Sequence, residues 1–171
     1  MVSIIKANEN DFQLLSQLAK TTFIESHGSS ASQEDINSYI SEKYNEAVFK
    51  EELSDPKNIY HIIYYQEQPA GYSKLIFDAA YAGAEIKNIA KLERIYLLKE
   101  CYDLKLGKEL FLFNTSLAKQ NQQAGIWLFV WKENHRAVAF YKKNGFVIIG
   151  SHDFKISETH ANPNHQMWLR F

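Results

Sequence analysis

The stretch VWKENHRAVAFYKKNGFVIIG, residues 130–150, decides how this chain is read. It begins at the end of GIWLFVW (125–131), an apolar run with no polar alternation, as expected of a strand covered on both faces. Asn134 then stands as an N-cap, HRAVAFYKKN (135–144) reads as a helix, and Gly145 supplies its left-handed stop. GFVIIGS (145–151) is the next strand.

One step upstream lies a second strand-turn-helix passage. LERIYLL (92–98) reads as the end of a strand over 87–98, and residues 106–121 as a helix with Leu106, Leu110, Phe113 and Leu117 at helical spacing. Between them, CYDLKLGKEL (101–110) has the layout of a loop that seats an anion on free N–H groups at a helix start. Gly107 permits close backbone approach, and Lys105 and Lys108 add charge. Neither GxxxxGK[ST] nor GxGxxG is present, so a Walker loop and a dinucleotide fingerprint are excluded. By itself the loop reads equally well as a plain turn or an anion site.

The N-terminal half begins with a short strand, VSIIK (2–6). Asn8 caps a helix over about 9–25 with Leu14, Leu15, Leu18 and Thr22 on one side. Helices from near Ser32 and over about 46–54 follow, and Pro56 closes the last. NIYHIIYY (58–65) and AGYSKLIF (70–77), separated by QEQP, read as an antiparallel hairpin. QMWLRF (166–171) is a last strand, reached from 151 by a loop bearing His and Asn. The order β–α–α–α–β–β–β–α–β–α–β–β implies one mixed sheet with helices on its faces, an α/β (α+β) domain spanning 1–171.

Bulk properties fit that reading. The chain has 171 residues, 46% of them hydrophobic, enough for one real core. A formal net charge of −1 gives no global pull toward nucleic acid. The longest strictly apolar run, IWLFVW, is far short of the ~20 residues that span a bilayer. The N-terminus lacks the pattern of a signal peptide, and lone Cys101 suits a reducing compartment as a buried thiol, so a cytoplasmic protein is expected. His152, His160 and His165 lack metal-ligand spacing, and no metal is expected.

Taken together, Asn134, Phe140, Tyr141, Gly145 and Phe146, with LERIYLLKECYDLKLGKEL before them, resemble the GNAT superfamily of acetyl-CoA-dependent N-acetyltransferases. The family's loop pattern is [QR]-x-x-G-x-[GA]. Here Tyr102 replaces the first residue and Lys105 the first glycine, while Gly107 is kept. The resemblance implies a mostly antiparallel twisted sheet whose central parallel strands splay around acetyl-CoA. Ile95, Tyr96 and Leu97 would pair with the pantetheine arm. Tyr102, Asp103, Leu104, Lys105, Leu106, Gly107 and Lys108 would form the pyrophosphate loop. Asn134, Phe140 and Lys143 would lie beside the coenzyme, as would Tyr141. Lys105 is expected to need only a backbone conformation open to L-residues.

By the same resemblance Tyr141 protonates the departing thiolate, since a phenol (~10) and a thiol (~8.5) are close in pKa. Glu93 is expected on the face of Ile95 and Leu97, with Arg94 on the other. There its carboxyl is either raised in pKa and serves as the base or is salt-bridged to Arg94 or Lys91. Trp131 is a candidate for the acceptor cleft. Residues 34–55 carry seven acids against two bases, whereas 132–143 carry four bases against one acid. Acids facing a cationic amine and bases facing an anionic coenzyme are complementary. TTF (21–23), AGYSKL and LERIY also resemble bacterial polyamine (spermidine/spermine) N-acetyltransferases. A small cationic amine is therefore the expected acceptor, and a homodimer through a C-terminal strand is implied by the family. The alternatives are acetylation of a protein N-terminus or lysine, or a non-catalytic coenzyme A sensor.

Overall fold

The computed structural model describes every residue from Met1 to Phe171. The chain runs β1 (Val2–Lys6), α1 (Phe12–His27), α2 (Gln33–Lys43), α3 (Glu46–Ser54), β2 (Ile59–Tyr65), β3 (Gln68–Ile76), β4 (Ala90–Leu97), α4 (Leu106–Gln120), β5 (Gly125–Trp131), α5 (His135–Lys143), β6 (Val147–Lys155) and β7 (Ala161–Arg170). Short 3-10 turns, Glu9–Asp11 and Lys99–Leu104, precede α1 and α4. Polar caps set the helix starts. Asn8 and Asp11 close a capping box on the first 3-10 turn, and Ser32, Asn45 and Asn134 accept from the N–H three residues on. Gly145, at φ +93°, ends α5 in a region that L-residues rarely adopt. No helix is long and apolar enough to cross a membrane.

One seven-stranded sheet has the order β1-β2-β3-β4-β5-β7-β6. All neighbours are antiparallel except β4 and β5, which are parallel and in register only at Ala90–Ile126 and Lys91–Trp127. Beyond that point the two strands lose their pairing and part. α1 to α3 cover one face through Leu15, Phe23, Ile36, Phe49, Tyr60 and Tyr72. α4 and α5 cover the other through Phe111, Val138 and Tyr141, packed on Ile126, Leu128 and Met167.

Four local expectations change. The stretch read as a loop between the last strands is mostly strand, since β6 extends to Lys155 and β7 begins at Ala161. Its polar residues mislead because β6 is an edge strand and much of it meets solvent. The buried stripe of α4 runs through Leu106, Leu110, Phe111, Asn114 and Ala118 instead of Phe113 and Leu117. Asn114 is tolerated there because it bonds Ser73 Oγ (3.0 Å) and the Leu110 carbonyl (2.7 Å). Lys105 sits in the left-handed region, at φ 61° and ψ 8°, and links the second 3-10 turn to α4. The loop thus keeps the backbone shape that a glycine supplies without strain, and an L-residue bears a cost of roughly 1–2 kcal/mol.

The fourth change is in β4. Lys74 pairs with Arg94 and Leu75 with Leu92, so Glu93 has no partner of its own. This β-bulge resets the alternation of the strand. Leu92, Ile95 and Leu97 pack on the side of α4, in clusters with Phe111, Leu106 and Leu110. Glu93 joins Lys91 and Arg94 on the side of α1 to α3, not Ile95 and Leu97 as simple alternation expects.

Candidate active site

The gap between β4 and β5 opens into a cleft of about 480 Å³, lined by residues of α1, β4, β5, α4, α5 and the β6–β7 hairpin. One bank is basic. Lys105, Gly107 and Lys108 line it, and the first N–H groups of α4 have no helical acceptor. A Cβ added at Gly107 would meet only the Leu97 side chain, at 3.4 Å, so space lies in front of that backbone. Arg136, from the first turn of α5, bridges the cleft. Its guanidinium lies 4.2 Å from the Tyr102 ring centroid, donates to the Tyr102 carbonyl (2.9 Å) and stands 3.7 Å from Asp103. Two free N–H groups, three cations and an open backbone suit a phosphate-bearing ligand.

Of the residues expected to hold the coenzyme, Ile95, Tyr96, Leu97, Tyr102, Lys105, Gly107, Lys108, Asn134, Phe140 and Tyr141 line this cleft. Four do not. Leu106 is fully buried in the core beneath α4, and Asp103, Leu104 and Lys143 are exposed outside it. Their side chains point elsewhere because a helical turn can present only some of its residues to one groove.

Tyr141 projects from α5, 7% exposed, with its ring edge-on to Phe140 and Phe146. Burial, and then the neighbouring Tyr96 phenol, push its pKa up, so the phenol keeps its proton throughout the physiological range. That departs from the expected match with a thiol: the group is a firmly protonated donor in the free protein.

Glu93 takes the salt-bridged of its two expected states, with Lys91 as one partner, and not the raised one. Burial pushes its carboxyl up, but Lys74, Lys91 and Arg94 outweigh it and hold the pKa below the usual range. Lys74 Nζ lies 2.6 Å from Glu93 and 2.9 Å from Glu52, and Lys91 lies 3.2 Å from Glu93. Arg94 is on the same side but pairs with Glu52 (3.3 Å), which also accepts from the Tyr60 hydroxyl. Glu93 is therefore a carboxylate held between two ammonium groups, not the raised carboxyl among apolar neighbours. Lys74, the centre of this cluster, is only 5% exposed. None of the seven acids between 34 and 55 lines the cleft, although Glu52 reaches it through Lys74. Apart from Glu52, the acids of the N-terminal helices turn their charge to solvent.

The opposite bank is aromatic. Phe23 and His27 of α1, Tyr96 of β4, Phe129 and Trp131 of β5, and Phe154 of β6 line it with Asn162 and Asn164 of β7. Trp131 was anticipated there. His27, Phe154, Asn162, Asn164 and Arg136 were not, because they come from distant parts of the chain. The one local signal was Arg136, a cation two residues after a cap and beside a basic loop. Cys101 is buried, and burial pushes its thiol up, as fits an inert core cysteine.

A model of the acetyltransferase (GNAT) family matches residues 16–146. The chain belongs to that family. It is an N-acetyltransferase, and its relatives match it along nearly their whole length. An uncharacterized N-acetyltransferase of Lactobacillus delbrueckii subsp. lactis is 29% identical over 92% of this acetyltransferase and 91% of the relative. A spermidine N(1)-acetyltransferase of Thermoplasma acidophilum is 27% identical over 86% of this chain and 89% of its own. The crystal structure of the PaiA N-acetyltransferase of Thermoplasma acidophilum in complex with coenzyme A superposes with a TM-score of 0.79, at 24% identity, over 100% of this chain and 99% of that one. That likeness establishes the fold.

Proposed function

We propose that this acetyltransferase uses acetyl-CoA and passes the acetyl group to a primary amine of a small cationic acceptor of the spermidine type, by direct attack of the amine on the thioester. The observation that carries the reading is the parting of β4 and β5 between a basic loop and the phenol of Tyr141. Lys105, Lys108, Arg136 and the α4 N–H groups bind the pyrophosphate. The backbone of Ile95–Leu97, freed from β5, aligns the pantetheine arm and polarises the thioester carbonyl through an N–H. Tyr141 gives its proton to the departing thiolate. The acceptor ammonium first gives one proton to solvent; the neutral amine loses a second as its C–N bond forms, which returns through water to the Tyr141 phenolate, and the thiol keeps the phenol's proton as the C–S bond breaks.

Two things support the acceptor class. Aromatic faces attract ammonium groups, and the acceptor bank is lined by them. A full-length relative carries the spermidine activity in its name. The pairing of Glu93 with two lysines favours a second reading, acetylation of a peptide α-amine. Such an amine (pKa ~7.7–8.0) is already largely neutral at pH 8 and asks less of a base. Thiol release from acetyl-CoA, followed with spermidine, spermine and a panel of short peptides, separates the two. The polyamines are expected to give the higher kcat/KM, and a clear preference for peptides overturns the first reading.

A further inference from the structure

His27 ends α1 on the aromatic bank, and its ring is held from three sides. It stacks on Phe23 (4.8 Å between centroids, 10° between planes), leans on Trp131 of β5 (5.6 Å) and stands edge-on to Tyr96 of β4 (6.0 Å). Tyr96 and Trp131 lie on the two strands that part, so the imidazole stands over the mouth of the cleft. It comes from the face of α1, whereas Tyr141 comes from the face of α5.

Ser26 Oγ lies 2.7 Å from the Thr22 carbonyl, a turn back in α1, and 2.7 Å from His27 Nδ1. With the serine proton on the Thr22 carbonyl, that oxygen accepts from Nδ1–H, and this is the tautomer on which the inference is built. Nε2 is left with a lone pair and no protein partner, on a residue that lines the cleft. Burial pushes the imidazole down to about 4, which keeps that lone pair available at neutral pH. A second acceptor on the same wall is also unfilled. Asn164, opposite Trp131 in the β5–β7 register, is 6% exposed, lines the cleft, and has an Oδ1 with no hydrogen-bond partner.

We propose that Nε2 of His27 is the docking point of the acceptor, taking one N–H of the reacting amine, with the Asn164 amide as the second polar contact of the amine end. The inference rests on the functional reading above and adds to it the residue that places the nucleophile. An imidazole kept neutral this firmly is a poor base for an ammonium, so its work is orientation: it points the nitrogen toward the thioester. The three aromatic contacts lock the ring so that this direction is fixed before the amine arrives.

Binding and turnover are measured separately. Calorimetric titration of CoA-saturated protein with spermidine, and with a short peptide bearing a free α-amine, reads docking; acetyl-CoA kinetics reads the reaction. His27→Phe keeps the stack on Phe23 and Trp131 but removes the acceptor. It is expected to weaken amine binding tenfold or more and to raise the amine KM alike, leaving the acetyl-CoA KM unchanged. His27→Gln, whose amide oxygen reaches the position of Nε2, is expected to recover most of the loss. Melting curves show whether either variant is misfolded, and the glutamine variant decides if the phenylalanine one is. Amine binding in both variants equal to wild type, or no amine binding by the wild-type protein, overturns the docking role. Binding that needs His27 without any acetyl transfer leaves docking standing and sinks the functional reading instead.

Discussion

The two banks of the cleft are built in opposite ways. The coenzyme bank comes from two short segments, 95–108 and 134–141, the first a strand end that runs through a turn into α4 and the second the cap and body of α5. The acceptor bank gathers side chains from α1, the bulge of β4, the end of β5 and the β6–β7 hairpin, from Phe23 to Asn164. On the proposed reading the first bank binds through helix N–H groups as well as cations, and backbone groups tolerate substitutions such as Tyr102 and Lys105. The second works through side chains that must be brought together by the whole fold. Chemistry common to a family sits on the first, and the choice of partner on the second.

The sharpest way to break this contrast is at the residue between the banks. Tyr141→Phe is expected to lower kcat by about 10²- to 10⁴-fold, with little change in coenzyme affinity. Wild-type turnover in steady-state assays would move the proton donor elsewhere. Next comes Lys74→Met, which leaves Glu52 and Glu93 facing each other across a buried site. A loss of about 3 kcal/mol in denaturant unfolding is expected, together with a rise in the Glu93 pKa. Coenzyme binding should survive if the two banks are independent.

Smaller effects test the loop and the sheet. Lys105→Gly removes left-handed strain and is expected to stabilise the protein by about 1 kcal/mol. It also removes a cation from the phosphate groove, so coenzyme binding should become less sensitive to salt. A pH effect at His61 tests the sheet, away from both banks. Burial first, and then Lys6, push this histidine from the usual 6.5 to about 4. The unfolded chain therefore binds a proton that the folded one refuses between those values. That contribution to stability is full above pH 6.5 and is lost as pH falls toward 4. His61→Phe, which keeps the edge-on contact with Phe113, should flatten the fall of melting temperature across that window.

What could be read in the sequence follows the same division. VWKENHRAVAFYKKNGFVIIG carried its cap, helix, stop and strand in adjacent residues, and the element order of the whole chain followed from local periodicity. Glu93 could not be placed, because its side of the sheet depends on how β3 pairs with β4, a fact about two strands 20 residues apart. The acidic run of 34–55 showed charge but not direction, and the helices turn all of it but Glu52 outward. His27 lies past the helix read over about 9–25 and carries no local signal, because β4 and β5 supply its neighbours. Lys105 looked compatible with an ordinary backbone because a lysine gives no sign that its φ is positive.

The unpartnered residue of β4 puts the two halves of that strand out of phase by one. Toward α4 the inner half presents Ala90 and Leu92, and the outer half Ile95 and Leu97. Excising Glu93 would bring the halves back into step and keep all four residues facing α4, now in an unbroken two-residue rhythm. For this strand a one-residue deletion is gentler to the hydrophobic interior than many substitutions, and what it would erase is the carboxylate that Lys74 and Lys91 hold at the cleft.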